Sequence, residues 1–396
     1  MKKYDAAIIG AGASGLTAGL SAAESGASVI IIDGNEKAGK KLYATGNGRC
    51  NFTNINIEGA DRTIEFFRKL GMMSRVEDDG RCYPYSGQAA ALVNILESAV
   101  RRAGAEIKTN DRAVSIRKAD TRFIVECESG VQIVSKTVII ATGGRAGLKF
   151  GSTGDGYGFA KSFGHTLTPP RPALVPVESD DTFIKLLKGI RAKADVTLIL
   201  DGNTVAKESG EVQFTGTGIS GICVFDLTRF MDAARPVKKN HKSDRKPEKA
   251  YIITADFVPD HSEDDIMHFL SVNAAPELSR ESIKKALSGI VNMKLSDVLA
   301  DMAWIPDNAE KSVRRAVHLL KHLKINVSHT KGWDDAQVTA GGVHLEDVDL
   351  STMESRIEKG LFFCGEVLDY DGRCGGYNLQ WAWESGYIAG NAAAGK

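Results

Sequence analysis

A short apolar run, Tyr4 to Ile9, stops at Gly10-Ala11-Gly12-Ala13-Ser14-Gly15 and passes into a small-residue segment, Leu16 to Ser25, that closes on Gly26. A second apolar run, Ser28 to Ile32, ends on Asp33. Strand, glycine-rich turn, helix and second strand with a terminal acid form the βαβ context in which G-x-G-x-x-G holds a dinucleotide. Each part has a mechanical reason. Gly10 permits the tight turn, Gly12 lets the backbone approach a pyrophosphate, and Gly15 lets helix and strand pack closely. The N–H groups that open the helix, at Ala13 and Ser14, face the phosphates. Asp33, followed by Gly34, accepts hydrogen bonds from ribose hydroxyls. An acid there suits an unphosphorylated adenosine ribose, so FAD or NAD is favoured over NADP, and the fold class is α/β.

The continuation favours FAD. Lys40 to Asn54 is rich in glycine, amide and hydroxyl groups, a loop able to wrap a large polar ligand. It contributes Lys41, Ala44, Thr45, Gly46, Arg49 and Asn51 as candidate contacts. A helix from Gln88 to Arg102 follows, then alternating runs at Glu106 to Ile116, which includes the candidate contact Val114, at Phe123 to Glu128 and at Val131 to Val134. Thr137 to Ala141 is an apolar strand ending in Thr142-Gly143-Gly144. An antiparallel excursion before such a strand resembles the two-dinucleotide-binding-domain flavoproteins. Gly151 to Tyr157, leading into a helix at Phe159 to Phe163, resembles their T-G-D-G loop. Leu361 to Glu366 resembles the strand whose Gly-acid pair, here Gly365-Glu366, holds the ribityl chain. Gly375 to Gln380, with Tyr377, Asn378 and Leu379, opens a helix from Trp381 to Ala394 whose N-terminal dipole can stabilise an anionic reduced flavin.

The phrases Ala44 to Asn54 (A-T-G-N-G-R-C-N-F-T-N), Val338 to Val343 (V-T-A-G-G-V) and Cys364 to Ala382 resemble the HI0933-like flavoproteins over nearly the whole chain. That resemblance implies non-covalent FAD on a Rossmann-like domain carrying an inserted small β-barrel and a helical domain. The expected division is 1–188 and 337–396 for the FAD domain, 189–258 for the barrel, 259–325 for the helices and 326–336 for a returning strand. The family's named activities include bile-acid-inducible flavin reductases, reduction of conjugated C=C bonds in steroid-like substrates, reduction of uridine in ribosomal RNA, and aminoacetone oxidases.

At the exit from the first FAD stretch, Pro169, Pro170, Pro172 and Pro176 mark a crossing, and within the insert short strands are expected at Ala194 to Leu200, Thr204 to Lys207 and Glu211 to Thr215. Gly216 to Gly221 is a second literal G-x-G-x-x-G. No strand with a terminal acid follows it, so it is read as a turn, either at the flavin edge or packed on the main domain. Without a second nucleotide fold, NAD(P)H would dock transiently beside the flavin. His261 to Lys324 has helical apolar spacing, for example Val313, Val317 and Leu320. His318 and His322 lie four apart on a helix, but no third ligand is spaced nearby, so no metal is expected. Arg235 to Lys249 holds seven basic residues and two acids. It reads as a solvated loop, with a phosphate-contacting RNA arm as the alternative.

Fifty basic residues balance fifty acidic ones, which excludes a chain that is basic all over. The six cysteines are scattered without C-x-x-C pairs, which fits reduced thiols in a cytoplasm and disfavours a disulfide-reductase mechanism. No signal peptide or membrane span is expected. Candidate groups at the flavin are Arg49, Cys50, Arg373 and Tyr377. Cys50 beside Arg49 is a candidate acid with a lowered pKa, although an inert packed thiol is the favoured reading of it. Arg373 is a candidate anchor for an anionic substrate or a carbonyl, with an ion pair to Asp369 or Asp371 as its alternative. The leading expectation is an NAD(P)H-dependent reductase of a conjugated C=C bond in a small-molecule substrate. Reduction of uridine in RNA, an amine or alcohol oxidase using oxygen, and a flavin sensor without turnover are the alternatives.

Overall fold

The computed structural model describes residues 2–77, 79–231, 251–274 and 278–395. The two outer stretches, Met1–Pro172 and Gln337–Lys396, build one unit, and Ala173–Ala336 builds a second. The main sheet of the first unit includes β1 (Lys3–Ile9), β2 (Val29–Ile32), β3 (Glu106–Lys108), β4 (Ala113–Ala119), β5 (Arg122–Cys127), β6 (Gln132–Ile140) and β7 (Leu361–Phe363), with helix α1 (Ala13–Glu24) crossing from β1 to β2. Five of them run parallel in the order β7-β6-β1-β2-β3, and Ile9 lies level with Ile32 on one side and Ile140 on the other. Strands covered on both faces read as unbroken apolar runs, and all four residues of β2 are buried. The hairpin β4–β5 joins β6 antiparallel.

Two local readings change. The run Glu106 to Ile116 is two strands, β3 and β4, with buried Asp111 in the turn between them, accepting from the N–H and hydroxyl of Ser129 and pairing with Lys108. The split at Ser135-Lys136 disappears: β6 is one strand that pairs with β5 through Gln132–Ser135 and with β1 up to Ile140, so Ser135 is buried between two neighbours.

The second unit holds a seven-stranded antiparallel sheet in the order Leu323–Asn326, Tyr251–Asp256, Arg191–Leu200, Asn203–Phe214, Gly218–Ser220, Val177–Glu178, His329–Thr330. The expected pair Thr204 to Lys207 and Glu211 to Thr215 is therefore one long strand, Asn203–Phe214. Residues 173–188 belong here rather than with the first stretch, because Val177–Glu178 pairs within this sheet. The returning strand starts at Leu323, ahead of the expected 326. Between Tyr251–Asp256 and Leu323–Asn326 lie the helices Glu263–Asn273, Arg280–Leu287, Met293–Ala303 and Ala309–His322. They share one core with the sheet, Val196 and Ile253 packing in the same cluster as Leu270, Leu299 and Leu320. The second G-x-G-x-x-G serves this sheet, since a side chain at Gly218 would collide with the carbonyl of Val177. Arg235 to Lys249 lies outside the described residues. No helix among the described residues is long and apolar enough to cross a membrane.

Candidate flavin site

The C-terminal ends of β1, β2, β6 and β7 all deliver glycine or an acid to one edge of the parallel sheet: Gly10, Asp33, Thr142-Gly143 and Gly365-Glu366. In open α/β sheets this is the edge where ligands bind. The three glycines of the fingerprint have different neighbours. A Cβ on Gly10 would collide with the Ala141 carbonyl and one on Gly15 with the Gly10 carbonyl, whereas one on Gly12 would meet nothing within 4 Å. Gly12 thus faces open space at the head of α1. No side chain caps that helix, so the first-turn N–H groups at Ala13, Ser14 and Gly15 present partial positive charge to an anion. Asp33 is held by two sets of donors. The Ala11 N–H gives to Oδ2 at 2.7 Å, and the Asn35 N–H and side-chain amide give to Oδ1 at 2.7 and 3.0 Å. Gly34 passes against Arg112, which pairs with Asp155 at 2.7 Å. Val114 is 49% exposed. A groove of about 480 Å³ opens beside it, between β4 and the helix Asp155–Ser162, and no other expected contact lines that groove.

Lys41 and Glu366 meet across the edge, Nζ to Oε2 at 2.8 Å, while Glu366 Oε1 accepts the Thr339 N–H at 2.7 Å. Thr339, fully buried, accepts the N–H groups of Arg145 and Ala146 at 2.8 and 2.9 Å through its hydroxyl. This ties the loop after β6 to the strand Val338–Val343. Gly365, at φ +77, lies against Ser14, whose hydroxyl donates to the Cys364 carbonyl at 3.3 Å. The C-terminal helix Tyr377–Ala393 approaches α1 so closely that a Cβ on Gly386 would lie 2.5 Å from the Ser14 carbonyl oxygen. Both ends of the chain therefore frame one site.

The loop through Ala44 makes a tight turn with Gly46 and Asn47 left-handed, and Thr45 donates its hydroxyl to Leu42 O at 2.7 Å. Asn51 Nδ2 donates to the carbonyls of Thr53 and Cys82 at 2.8 and 3.1 Å. Thr53 donates to Gln380 Oε1 at 2.6 Å, joining this loop to the start of the C-terminal helix. Asn51 Oδ1 and Gln380 Nε2 are buried without a protein partner, an acceptor and a donor left over at that junction. That helix begins at Tyr377, earlier than Trp381, with Gly376 as its left-handed N-cap and no side-chain cap. The Asn378 side chain folds the preceding loop, exchanging hydrogen bonds with Gly372 at 2.8 and 2.9 Å. Leu379 and Tyr377 are half-buried in the first turn, and Arg373 is exposed in the loop before it.

Two further candidates, Arg49 and Cys50, differ sharply in surroundings. Arg49 pairs with Glu77 and lies over the Tyr83 ring, 4.1 Å from its centroid. Cys50 is fully buried, and burial pushes its thiol up to about 11, the opposite of a lowered pKa; its surroundings are those of a packed thiol. Thr53, Thr339 and Gln380 were missed as individuals. All three sit inside the quoted phrases, but only their hydrogen bonds distinguish them from neighbouring polar residues.

The residues fit a flavin dinucleotide: an open glycine at an uncapped helix start for the diphosphate, an oriented carboxylate for the ribose, and unpaired polar atoms beside a second helix start. The HI0933-like protein Rossmann domain profile matches residues 4–62 and 55–392. The 3-dehydro-bile acid delta(4,6)-reductase of Clostridium scindens is 35% identical over 414 residues, with 98% of each chain covered. The ribosomal RNA dihydrouridine synthase of Haemophilus influenzae is 29% identical over 410 residues, with 96% of each covered. Among solved structures, the open conformation of a flavocytochrome c3 fumarate reductase superposes with a TM-score of 0.51 at 17% identity, covering 99% of this chain and 78% of that one, a likeness of fold. The match along almost the whole chain, on the frame just described, makes this a member of the HI0933-like family and an oxidoreductase built on that family's flavin-binding Rossmann domain.

Proposed function

We propose that the chain is a non-covalent FAD-dependent reductase that takes reducing equivalents from NAD(P)H and saturates a C=C bond conjugated to a carbonyl in a small molecule. The observation that carries this reading is the 35% identity, over 98% of both chains, to a delta(4,6)-reductase. Bound flavin supplies the hydride chemistry, and the protein supplies binding, orientation and electrostatics. The open N–H groups at Ala13 to Gly15 hold the diphosphate, and Asp33 receives the adenosine ribose. Glu366, oriented by Lys41 and the Thr339 N–H, receives hydroxyls of the ribityl chain. The N-terminus of the helix Tyr377–Ala393 directs its positive end at the place where negative charge collects on reduction. Arg373 donates to the substrate carbonyl and draws electron density out of the conjugated bond. Tyr377, rather than Cys50, delivers the proton to the second carbon, because the Cys50 thiol is buried away from any substrate.

Anaerobic titration of the flavin-loaded protein with NADH and then NADPH tests the reading. Rapid bleaching of the flavin, reversed by a steroid dienone, is the expected result. Slow bleaching by both nucleotides overturns the NAD(P)H step, and peroxide release with an amine in a separate assay under air replaces the reductase by an oxidase.

A second reading rests on the 29% identity to a ribosomal RNA dihydrouridine synthase. Uridine carries a C=C bond conjugated to a carbonyl, so the same chemistry serves a base withdrawn from its stack. Nucleoside mass comparison of ribosomal RNA from deletion and parent strains separates the two. A uridine two hydrogens lighter in the deletion strain than its counterpart in the parent supports the RNA substrate, and identical nucleosides remove it.

A further inference from the structure

The helix Ala309–His322 turns its apolar face, Val313, Val317 and Leu320, into the core and leaves His318 and His322 on its exposed side, four residues apart and therefore on one face. The tertiary fold brings Glu263, from the first turn of the helix Glu263–Asn273, against them. Glu263 Oε1 lies 2.9 Å from His322 Nε2, and the His318 and His322 ring centroids are 5.1 Å apart. One ligand atom from each of the three lies within 4.8 Å of the others. Tetrahedral zinc, with bonds of about 2.0–2.1 Å, holds its ligand atoms about 3.4 Å apart, so small side-chain rotations close the cluster around an ion.

We propose that Glu263, His318 and His322 form a surface site for a divalent transition metal, zinc in the first place, that clamps the start of one helix to the end of the other. Two imidazoles and one carboxylate are donors suited to zinc and its neighbours, whereas magnesium and calcium prefer oxygen alone. Three protein ligands leave the fourth position to water. The carboxylate is positioned independently of any metal. Ser262 and Asp265 form a reciprocal capping box that sets the first turn carrying Glu263. The neighbouring cation Lys321 is engaged elsewhere, 2.7 Å from Asp256 and donating to the carbonyls of Val258 and His261 at 2.9 and 2.8 Å, so it does not occupy the site. The bond between Glu263 and His322 is the contact that the metal would replace.

Calorimetric titration of zinc chloride into the chelator-treated, flavin-loaded full chain tests the site, with the variants His318→Ala, His322→Ala and Glu263→Gln alongside. One zinc per chain is expected, with affinity falling in each variant by more than the roughly 10- to 100-fold that loss of an outer-shell partner costs. Zinc should also raise the melting temperature of the parent, and of none of the variants. The three positions are exposed, and unchanged flavin content and far-ultraviolet circular dichroism confirm that each variant is folded. Three outcomes overturn the proposal: no zinc uptake, uptake equal in parent and variants (which places the metal on the cysteines or elsewhere), or uptake lost with either histidine but indifferent to Glu263→Gln.

Discussion

A methyl group added at Gly12 would meet no heavy atom within 4 Å, whereas one added at Gly15 would run into the Gly10 carbonyl. The same substitution is therefore expected to act on different properties. Gly12→Ala should fold with an unchanged urea midpoint yet lose most of its flavin, because the methyl stands where a diphosphate approaches. Gly15→Ala should yield little folded protein, since backbone cannot move aside. Flavin absorbance per chain and circular dichroism read the two effects separately, and full flavin retention by Gly12→Ala would sink the diphosphate assignment. At Arg373, replacement by alanine is expected to lower kcat/KM about 10- to 100-fold, the equivalent of a hydrogen bond from a charged group of about 1.5–3 kcal/mol, with lysine recovering part of the loss. Cys50→Ala should leave the pH profile of kcat where it was. A profile that shifts with Cys50→Ala would return the thiol to the reaction.

Among the elements, the loop after β6 depends on a partner from the other end of the chain. Thr339 accepts two N–H groups through one buried hydroxyl. Thr339→Val keeps the shape and removes the acceptor, so about 2 kcal/mol of stability should be lost and the loop at Arg145 should become more sensitive to protease. Undiminished stability would mean that the loop is held by something else. The elements most legible in the sequence were those with strong local signals, namely β1, α1, β2 and the helix Ala89–Arg102. Boundaries moved where a polar residue is buried by a neighbour remote in sequence. Ser135 looks like the end of a strand until β1 and β5 enclose it. The long strand Asn203–Phe214 looks like two because Glu208, Ser209 and Gly210 interrupt its apolar pattern, although each pairs with the strand Arg191–Leu200.

At the scale of the whole molecule, buried thiols make stability depend on pH. Burial raises Cys50, Cys127 and Cys223 from about 9 to about 11. Below pH 9 these thiols are protonated in both the folded and the unfolded chain. Between pH 9 and 11 the unfolded chain releases protons that the folded chain keeps, so unfolding becomes easier by up to about 1.4 kcal/mol per thiol for each pH unit. Urea midpoints measured under reductant should fall between pH 9 and 10.5, and the fall should be shallower in Cys50→Ala. A flat profile over that range would show that the thiols ionise equally in both states.

The sequence by itself determined the dinucleotide fingerprint, the α/β class, the convergence of the two termini on one cofactor and the family, because each rests on local periodicity, turn chemistry or long contiguous phrases. It left open which polar side chains act, since Thr53 and Gln380 are distinguished only by a bond spanning 327 residues and Thr339 by accepting from Arg145, 194 residues away. At Cys50 it offered a packed thiol and, beside Arg49, an acid with a lowered pKa, and only the tertiary structure shows the thiol fully buried with its pKa raised. It also held the His318–His322 pair without the third ligand. Proximity between side chains far apart in sequence is created by packing, and only the tertiary structure brings Glu263 to within 2.9 Å of His322.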